Sequence, residues 1–218
     1  MCGVFGFVAK SDKGMNLGVL QRIAQVTMSR GPHAWGMAWI DSKGRLKMFK
    51  QTGRIVDHLG ILRIAADAQC LIGHCRFATQ GSPHNNLNNH PHPADGGWIV
   101  HNGQVRDYFQ VVEGLDLYPN TDCDSEVLGL VIEQTEGRMI DRCVEAVLTL
   151  RKAPLVLLGV WKPGQVVAVR QGNPLHIAKT KHGYYLASLA DGLPGVVKEV
   201  ADDTALELTG KGITHVTF

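Results

Sequence analysis

Short apolar segments separated by glycine, proline or aspartate dominate the first and last thirds of the chain. Apolar segments of this length, bounded by turn residues, are typical of buried β-strands. The sequence "DSKG" between two of them predicts a hairpin turn. The predicted strands cover residues 3–9, 35–40, 45–50, 70–78 and 97–103, and then residues 155–161, 166–171, 184–189, 205–210 and 213–218.

A helical period appears first at Leu17, Leu20 and Ile23. Asn16 is a suitable N-cap for this helix, and Gly31-Pro32 ends the segment. Strands in both outer thirds with helices between them predict an α+β layered domain. Further helical patterns cover residues 57–67, 104–112, 124–135 and 138–151, and residues 11–16 are predicted as a turn.

A long polar loop, residues 79–96, separates two of the predicted strands. Loops of this length within a compact domain are usually either functional or disordered. Distinctive short motifs stand on both sides of this loop, which favours a function.

Composition indicates an ordinary globular domain of 218 residues, with 44% hydrophobic and 19% charged residues and a formal net charge of +2. The basic residues are scattered, so we expect no direct nucleic-acid binding. No apolar run approaches the length of a membrane span, and no basic region precedes the apolar start as in a signal peptide. We therefore expect a cytoplasmic protein that does not bind membranes.

Five cysteines without a CxxC pair argue against a disulfide scaffold. Four of them are most simply buried small hydrophobic residues. Cys2 is different, because methionine aminopeptidases remove Met1 before a small residue. Cys2 would then bear both a thiol and a free α-amine, although it could equally be the first residue of a buried strand.

Five motifs stand out, and each alone has an ordinary structural explanation: "HNG" favours a turn and "DCDSE" the start of a helix. Together and in this order they resemble the class II glutamine amidotransferase domain, an N-terminal-nucleophile (Ntn) glutaminase, over essentially the whole chain. The late "RQGNPLHI" and "YYLASLADGL" also resemble its closing strands. The motifs are "MCGVFG" (1–6), "RGPHAWG" (30–36), "GHCRFATQG" (73–81) with "NNHPHP" (88–93), "HNG" (101–103) and "DCDSE" (122–126).

The resemblance implies a four-layer αββα sandwich of two antiparallel sheets, formed by one domain covering residues 2–218. It also implies that Cys2 attacks the side-chain amide of glutamine. The α-amine would be its base, because such amines titrate near pH 8 and thiols near 8.5. Asn102 and Gly103 of "HNG" match the family's oxyanion hole.

Free glutamine has an α-carboxylate and an α-ammonium, which both need partners when enclosed. By the resemblance, the fork of Arg76 binds the carboxylate. Asp124 binds the ammonium, with Asp122 as the alternative and a helix cap as the structural explanation of Asp124. The residues expected to contact, gate or close the glutamine pocket are Phe77, Thr79 and His90.

Three positions depart from the family pattern. His33 stands where aspartate is usual after "RGP", so we assign Arg30 a supporting role behind the site. Gln80 replaces the histidine and Phe77 the tryptophan of some synthases. These changes affect gating and leave the chemistry intact.

Four histidines lie close together in sequence, but no carboxylate or cysteine completes a metal-ligand spacing. We expect no metal and no cofactor. The histidines are His84, His90, His92 and His101.

The chain ends at Phe218, where the resemblance places the end of the glutaminase domain. We therefore expect L-glutamine as the substrate and a separate synthase or acceptor protein as the partner. Two alternatives remain open: an Ntn amidohydrolase acting on another small amide, and a non-catalytic docking domain. Arg76 and Asp124 favour a free amino-acid substrate over the first alternative.

Overall fold

The computed structural model describes residues 1–10, 14–150 and 153–218, which form thirteen strands and four α-helices. The strands are β1 (Gly3–Ala9), β2 (Ala34–Ile40), β3 (Leu46–Thr52), β4 (Cys70–Arg76), β5 (His92–Ala94), β6 (Gly97–Asn102), β7 (Leu155–Trp161), β8 (Gln165–Gln171), β9 (His176–Lys179), β10 (Gly183–Ala187), β11 (Val197–Glu199), β12 (Thr204–Thr209) and β13 (Gly212–Thr217). The helices are α1 (Leu17–Thr27), α2 (Tyr108–Gly114), α3 (Glu126–Gln134) and α4 (Met139–Leu148).

The strands form two antiparallel sheets. The first sheet has seven strands in the order β11-β9-β10-β1-β4-β2-β3, and the second has six in the order β13-β12-β8-β7-β6-β5. The two sheets pack face to face through a layer of side chains from β1, β4, β7 and β8, including Val4, Ile72, Leu158 and Ala168.

Helices cover both outer faces. Helix α1 and the 3₁₀ segment Ile55–Ala65 pack on the first sheet, and α3 and α4 pack on the second. The order of layers is therefore helix, sheet, sheet, helix, which confirms the predicted four-layer αββα sandwich. Within the described ranges, no helix is long and apolar enough to cross a membrane.

Helix α1 begins as predicted at its cap. The Asn16 side chain accepts a hydrogen bond from the Val19 amide at 3.1 Å. The helix ends at Thr27, and a 3₁₀ turn over Met28–Arg30 leads into Gly31.

Several predicted boundaries are wrong, and three short strands were not predicted. The segment at 57–67 is a 3₁₀ helix over Ile55–Ala65, kinked at His58. The strand at 70–78 stops at Arg76, and the helix at 104–112 starts only at Tyr108. Sequence periodicity missed β5, β9 and β11, since three or four residues hardly show alternation. Residues 11–13 and 151–152, parts of the predicted turn and of the last predicted helix, lie outside the described residues.

The topology brings three chain segments together at one end of the strands. The register of β1 against β4 pairs Gly3 with Cys75, so the start of β1 lies beside the end of β4. The end of β6, in the other sheet, joins them, because the His74 ring lies 3.0 Å from the His101 carbonyl oxygen in a hydrogen bond.

Candidate active site

Cys2 lies directly before β1 and is held on two sides. The Phe77 amide donates to the Cys2 sulfur at 3.3 Å, and the sulfur lies 3.5 Å from the Phe77 carbonyl oxygen. On the other side, Arg30 Nε donates to the Cys2 carbonyl oxygen at 2.7 Å. Both backbone and thiol therefore have a defined position.

Five of the predicted site residues line one cavity of about 380 Å³. A cavity of this size is in the range of small-molecule sites. Phe77 is 41% exposed at this cavity, and Arg106 and Asn173 also line it. The five predicted residues are Cys2, Phe77, Thr79, Asn102 and Gly103.

Asn102, which lines this cavity, has an unused donor. Its side chain is buried, yet its Nδ2 has no hydrogen-bond partner among the described residues. Its backbone carbonyl is held by Asn173 Nδ2 at 2.9 Å. A buried amide without a partner is costly, so this nitrogen is suited to a ligand oxygen.

Gly103 is needed for close packing behind the same wall. A Cβ at this position would lie 2.6 Å from His101 Nε2 and 2.8 Å from the Leu155 Cβ. Only glycine lets the backbone approach this closely.

Arg76 is buried behind the cavity wall and does not line the cavity itself. Its guanidinium donates to Asn89 Oδ1 at 2.7 Å. It also donates to the carbonyl oxygens of Gln80 at 2.5 Å and Gly81 at 3.0 Å. Arg76 therefore organises the start of the loop that follows β4.

Asp124 is also buried, and its Oδ2 accepts from the Val105 amide at 2.7 Å. It thus ties α3 to the segment after "HNG" instead of capping the helix. Asp122 lies nearby and pairs with Asn88, whose Nδ2 donates to its carboxylate at 3.2 Å.

A cluster of buried imidazoles lies near Arg76, whose positive charge acts on three of them. His90 lies 3.9 Å from His74, centroid to centroid, and 4.7 Å from His92. Burial lowers the pKa of each ring, that of His92 to about 3, so these side chains are neutral at physiological pH. The cluster consists of His74, His90, His92 and His101; His84 is exposed and lies outside it.

One group of described residues has the composition of a metal site: His90, His92 and Cys123, whose possible ligand atoms lie within 4.8 Å of one another. Sequence spacing missed Cys123, which is far along the chain. The electrostatics oppose a cation here. Besides burial, the positive charges of Lys50 and Arg76 lower the pKa of His92, and burial keeps Cys123 a thiol by raising its pKa.

His33, which replaces the usual aspartate, supports the segment that faces the Cys2 sulfur. Its Nδ1 accepts from the Ala78 amide at 3.0 Å, and its ring packs 4.8 Å from that of Phe77. The "RGPH" motif therefore supports Cys2 through two contacts. Arg30 donates to the Cys2 carbonyl oxygen, and His33 accepts from Ala78, which follows the Phe77 amide that contacts the sulfur.

No family model matches the chain. Its sequence is similar to glutamine–fructose-6-phosphate aminotransferases (isomerizing). It is 30% identical to that of Aquifex aeolicus over 197 residues, 86% of this chain and 32% of the relative. It is 29% identical to that of Symbiobacterium thermophilum over 228 aligned residues, 100% of this chain and 37% of the relative. The chain spans about a third of the length of these relatives.

Two solved structures show the same fold. Glutamine phosphoribosylpyrophosphate amidotransferase from B. subtilis superposes with a TM-score of 0.81 at 21% identity, covering 99% of this chain and 49% of that one. A glutamine aminotransferase class-II domain protein from Silicibacter pomeroyi superposes with a TM-score of 0.68 at 15% identity, covering 100% of this chain and 99% of that one.

The two-sheet sandwich, with a cysteine placed directly before its first strand, defines the Ntn-hydrolase class of fold. Within that class, the ordered motifs and the similarity to the aminotransferases narrow the assignment. The chain belongs to the class II glutamine amidotransferase domains.

Selective alkylation tests the position of Cys2. We expect iodoacetamide to label the native protein at Cys2 alone, because Cys2 is only partly buried and the other four cysteines are fully buried. Thiolate is the reactive form, and burial raises the pKa of Cys2 to about 11. In the chain that retains Met1, labelling should therefore be slow at neutral pH and speed up as the pH rises toward that pKa. Peptide mapping by mass spectrometry measures both.

Protein unfolded in guanidinium is the control, since all five cysteines should then react. Labelling of Cys70, Cys75, Cys123 or Cys143 in the native protein would contradict the structure.

Proposed function

We propose that this chain hydrolyses the side-chain amide of L-glutamine with Cys2 as the nucleophile and releases ammonia for transfer to an acceptor. The observation behind this proposal is that the Cys2 residue and the unpartnered Asn102 amide line the same cavity. A nucleophile and an unused buried donor in one cavity are what acyl transfer requires.

The proposed reaction begins with removal of Met1, which frees the α-amine of Cys2. Burial raises the pKa of the thiol, so a base must take its proton as the sulfur attacks. The amine takes that proton, and the sulfur bonds to the amide carbon. The protonated amine then gives the proton to the leaving nitrogen, which departs as ammonia and leaves a glutamyl thioester. Water cleaves the thioester to glutamate and restores the thiol.

Asn102 Nδ2 and the Gly103 amide are the proposed oxyanion donors. Negative charge develops on the former amide oxygen of glutamine in each tetrahedral intermediate. Donors already in place stabilise it without reorganisation. Asn102 Nδ2 has no competing partner within the part of the chain that the structure describes, which supports this role.

Arg76 and Asp124 are proposed to bind the amino-acid end of glutamine, Arg76 its α-carboxylate and Asp124 its α-ammonium; neither side chain lines the cavity in this structure. Described residues take three of the five guanidinium N–H donors of Arg76. The Asp124 carboxylate accepts from Val105 and keeps further acceptor capacity. Thr79 and Phe77 line the cavity, and we propose that they contact the substrate, with His90 helping to close its pocket.

A separate acceptor protein is proposed to use the ammonia, in the cytoplasm. Ammonia released into water at neutral pH becomes ammonium and loses its nucleophilicity. A partner docked over the cavity mouth would prevent this loss. The exposed aromatic ring of Phe77 at this mouth supports the proposal.

Glutamate release from glutamine tests the reaction itself. We expect wild type to release glutamate and Cys2→Ala to have no detectable activity, because the nucleophile is gone. Enzyme-coupled detection of glutamate measures both, and intact mass shows whether Met1 has been removed. Activity in Cys2→Ala would refute the mechanism. A wild type inactive in every condition, including with its partner, would favour the docking-domain alternative.

Asn102→Ala tests the oxyanion donor. We expect kcat to fall about 10²- to 10³-fold, the usual loss for one such donor, with a much smaller change in KM. Steady-state glutaminase kinetics measure the split between the two constants. Alkylation of Cys2 at an unchanged rate serves as the control that the nucleophile is undisturbed. An unchanged kcat would remove Asn102 from the mechanism.

Purification of the protein with its partner tests the acceptor. We expect a bound protein that raises kcat/KM for glutamine and takes up ¹⁵N from amide-labelled glutamine even with unlabelled ammonium in excess. Full, unregulated glutaminase activity of the chain alone, without any co-purifying protein, would contradict this part of the proposal.

A further inference from the structure

Lys50, on β3, does not line the cavity, but its ammonium contacts the loop beside Arg76. We call residues 82–91 the asparagine loop. Lys50 Nζ lies 2.9 Å from the Asn89 carbonyl oxygen and 3.3 Å from those of Leu87 and Pro91. An ammonium has three N–H donors, so these three carbonyls can use all of them.

The asparagine loop rests directly on the β2–β3 hairpin. At Gly36 an added Cβ would lie 2.2 Å from the His90 carbonyl oxygen, which shows how closely the loop approaches the sheet. Asn86 Nδ2 donates to the Lys50 carbonyl oxygen at 2.8 Å, and Thr52 Oγ1 donates to that of Pro83 at 2.9 Å. The asparagine loop therefore packs against the β2–β3 hairpin and is hydrogen-bonded to it.

Asn89 joins Lys50 to Arg76. Its backbone carbonyl accepts from Lys50, and its side-chain Oδ1 accepts from Arg76 at 2.7 Å. Its Nδ2 donates to the Pro83 carbonyl oxygen at 2.9 Å, so the side chain cannot rotate without losing bonds. Two cations thus meet on one buried residue.

The Lys50 ammonium is partly desolvated and lies near a second cation. Burial is the main cause that lowers the pKa of Lys50; the positive charge of Arg76 also lowers it, and the negative charge of Glu126 acts in the opposite direction. Hydrogen bonds to a charged group are stronger than neutral ones. The carbonyl oxygens of the loop therefore stabilise an ammonium that has lost much of its water.

The chain of contacts ends at the site. Arg76 is followed directly by Phe77, whose amide donates to the Cys2 sulfur. A shift of Asn89 would therefore disturb the Arg76 guanidinium and, through the backbone, the segment that faces the nucleophile.

We propose that Lys50 is a positioning residue: its ammonium clamps the asparagine loop onto the β2–β3 hairpin, so that Asn89 holds Arg76 in place for the substrate. The substrate part rests on the proposed glutaminase function.

Lys50→Met tests the clamp, since it keeps most of the side-chain length and removes the charge. We expect amide hydrogen exchange to speed up in residues 82–91. We expect KM for glutamine to rise about 10- to 100-fold, the range for losing a hydrogen bond to a charged group. The change in kcat should be under about threefold, because the lost contact acts on binding.

Three comparison variants separate the clamp from a general defect. Lys50→Arg keeps a cation and should restore slow exchange and most of the affinity. Lys50→Ala should regain affinity when propylammonium is added, since that ion supplies the missing ammonium. Lys198→Met removes an exposed lysine from β11 and should leave both readouts unchanged. Thermal melting of each variant confirms that it is folded.

Unchanged exchange in folded Lys50→Met would overturn the clamp. Faster exchange with an unchanged KM would overturn the link to Arg76 and the substrate. A wild type that hydrolyses no glutamine would reject the proposed function instead, and the exchange experiment would then decide the clamp alone.

Discussion

The antiparallel register between β1 and β4 is the constraint on which the site depends. It pairs Gly3 with Cys75 and so places Cys2 beside the Phe77 backbone. A slip of one residue would turn every side chain of β1 to the opposite face. Strand β1 is buried along its whole length, with β4 on one side and β10 on the other. The burial of both sheets therefore fixes the position of the thiol, although the cysteine precedes the strand.

Arg76 and Lys50, two cations beside the site, are held mainly by backbone oxygens. Among the described residues, neither Arg76 nor Lys50 forms an ion pair with a carboxylate; both donate to carbonyl oxygens, and Arg76 also donates to the Asn89 side chain. Such dipoles stabilise a cation and leave its net charge available to an anion. The neighbouring imidazoles stay neutral because burial lowers their pKa. Arg76 and Lys50 thus place positive charge beside the site, in keeping with an anionic end on the ligand.

Sequence patterns predicted the long strands, which are apolar segments bounded by turn residues, and α1, whose apolar residues repeat at a helical period over several turns. They missed β5, β9 and β11, which are too short to show a period. The number of layers followed from the family resemblance, since periodicity does not show how sheets stack.

In the site, too, sequence indicated some of the residues and missed others. Cys2, Asn102 and Gly103 belong to short motifs that carry the family resemblance, and they line one cavity. Neither the contact of Cys123 with the histidines nor that of Lys50 with the loop could be read from sequence. Both join residues far apart in the chain, and Lys50 binds backbone oxygens, which every residue type has.

The run "HNNLNN" before the "HPHP" segment has the composition of a permissive, solvated loop, yet its asparagines have separate tasks. Asn85 accepts from the Leu87 amide, Asn86 donates to the Lys50 carbonyl, and Asn88 bonds to Asp122 in both directions. Asn89 needs an acceptor for Arg76 and a donor for Pro83 at once. Aspartate lacks the donor, and glutamine is longer by one methylene. This stretch should therefore tolerate less sequence drift during evolution than the apolar strands around it, where one aliphatic residue can replace another.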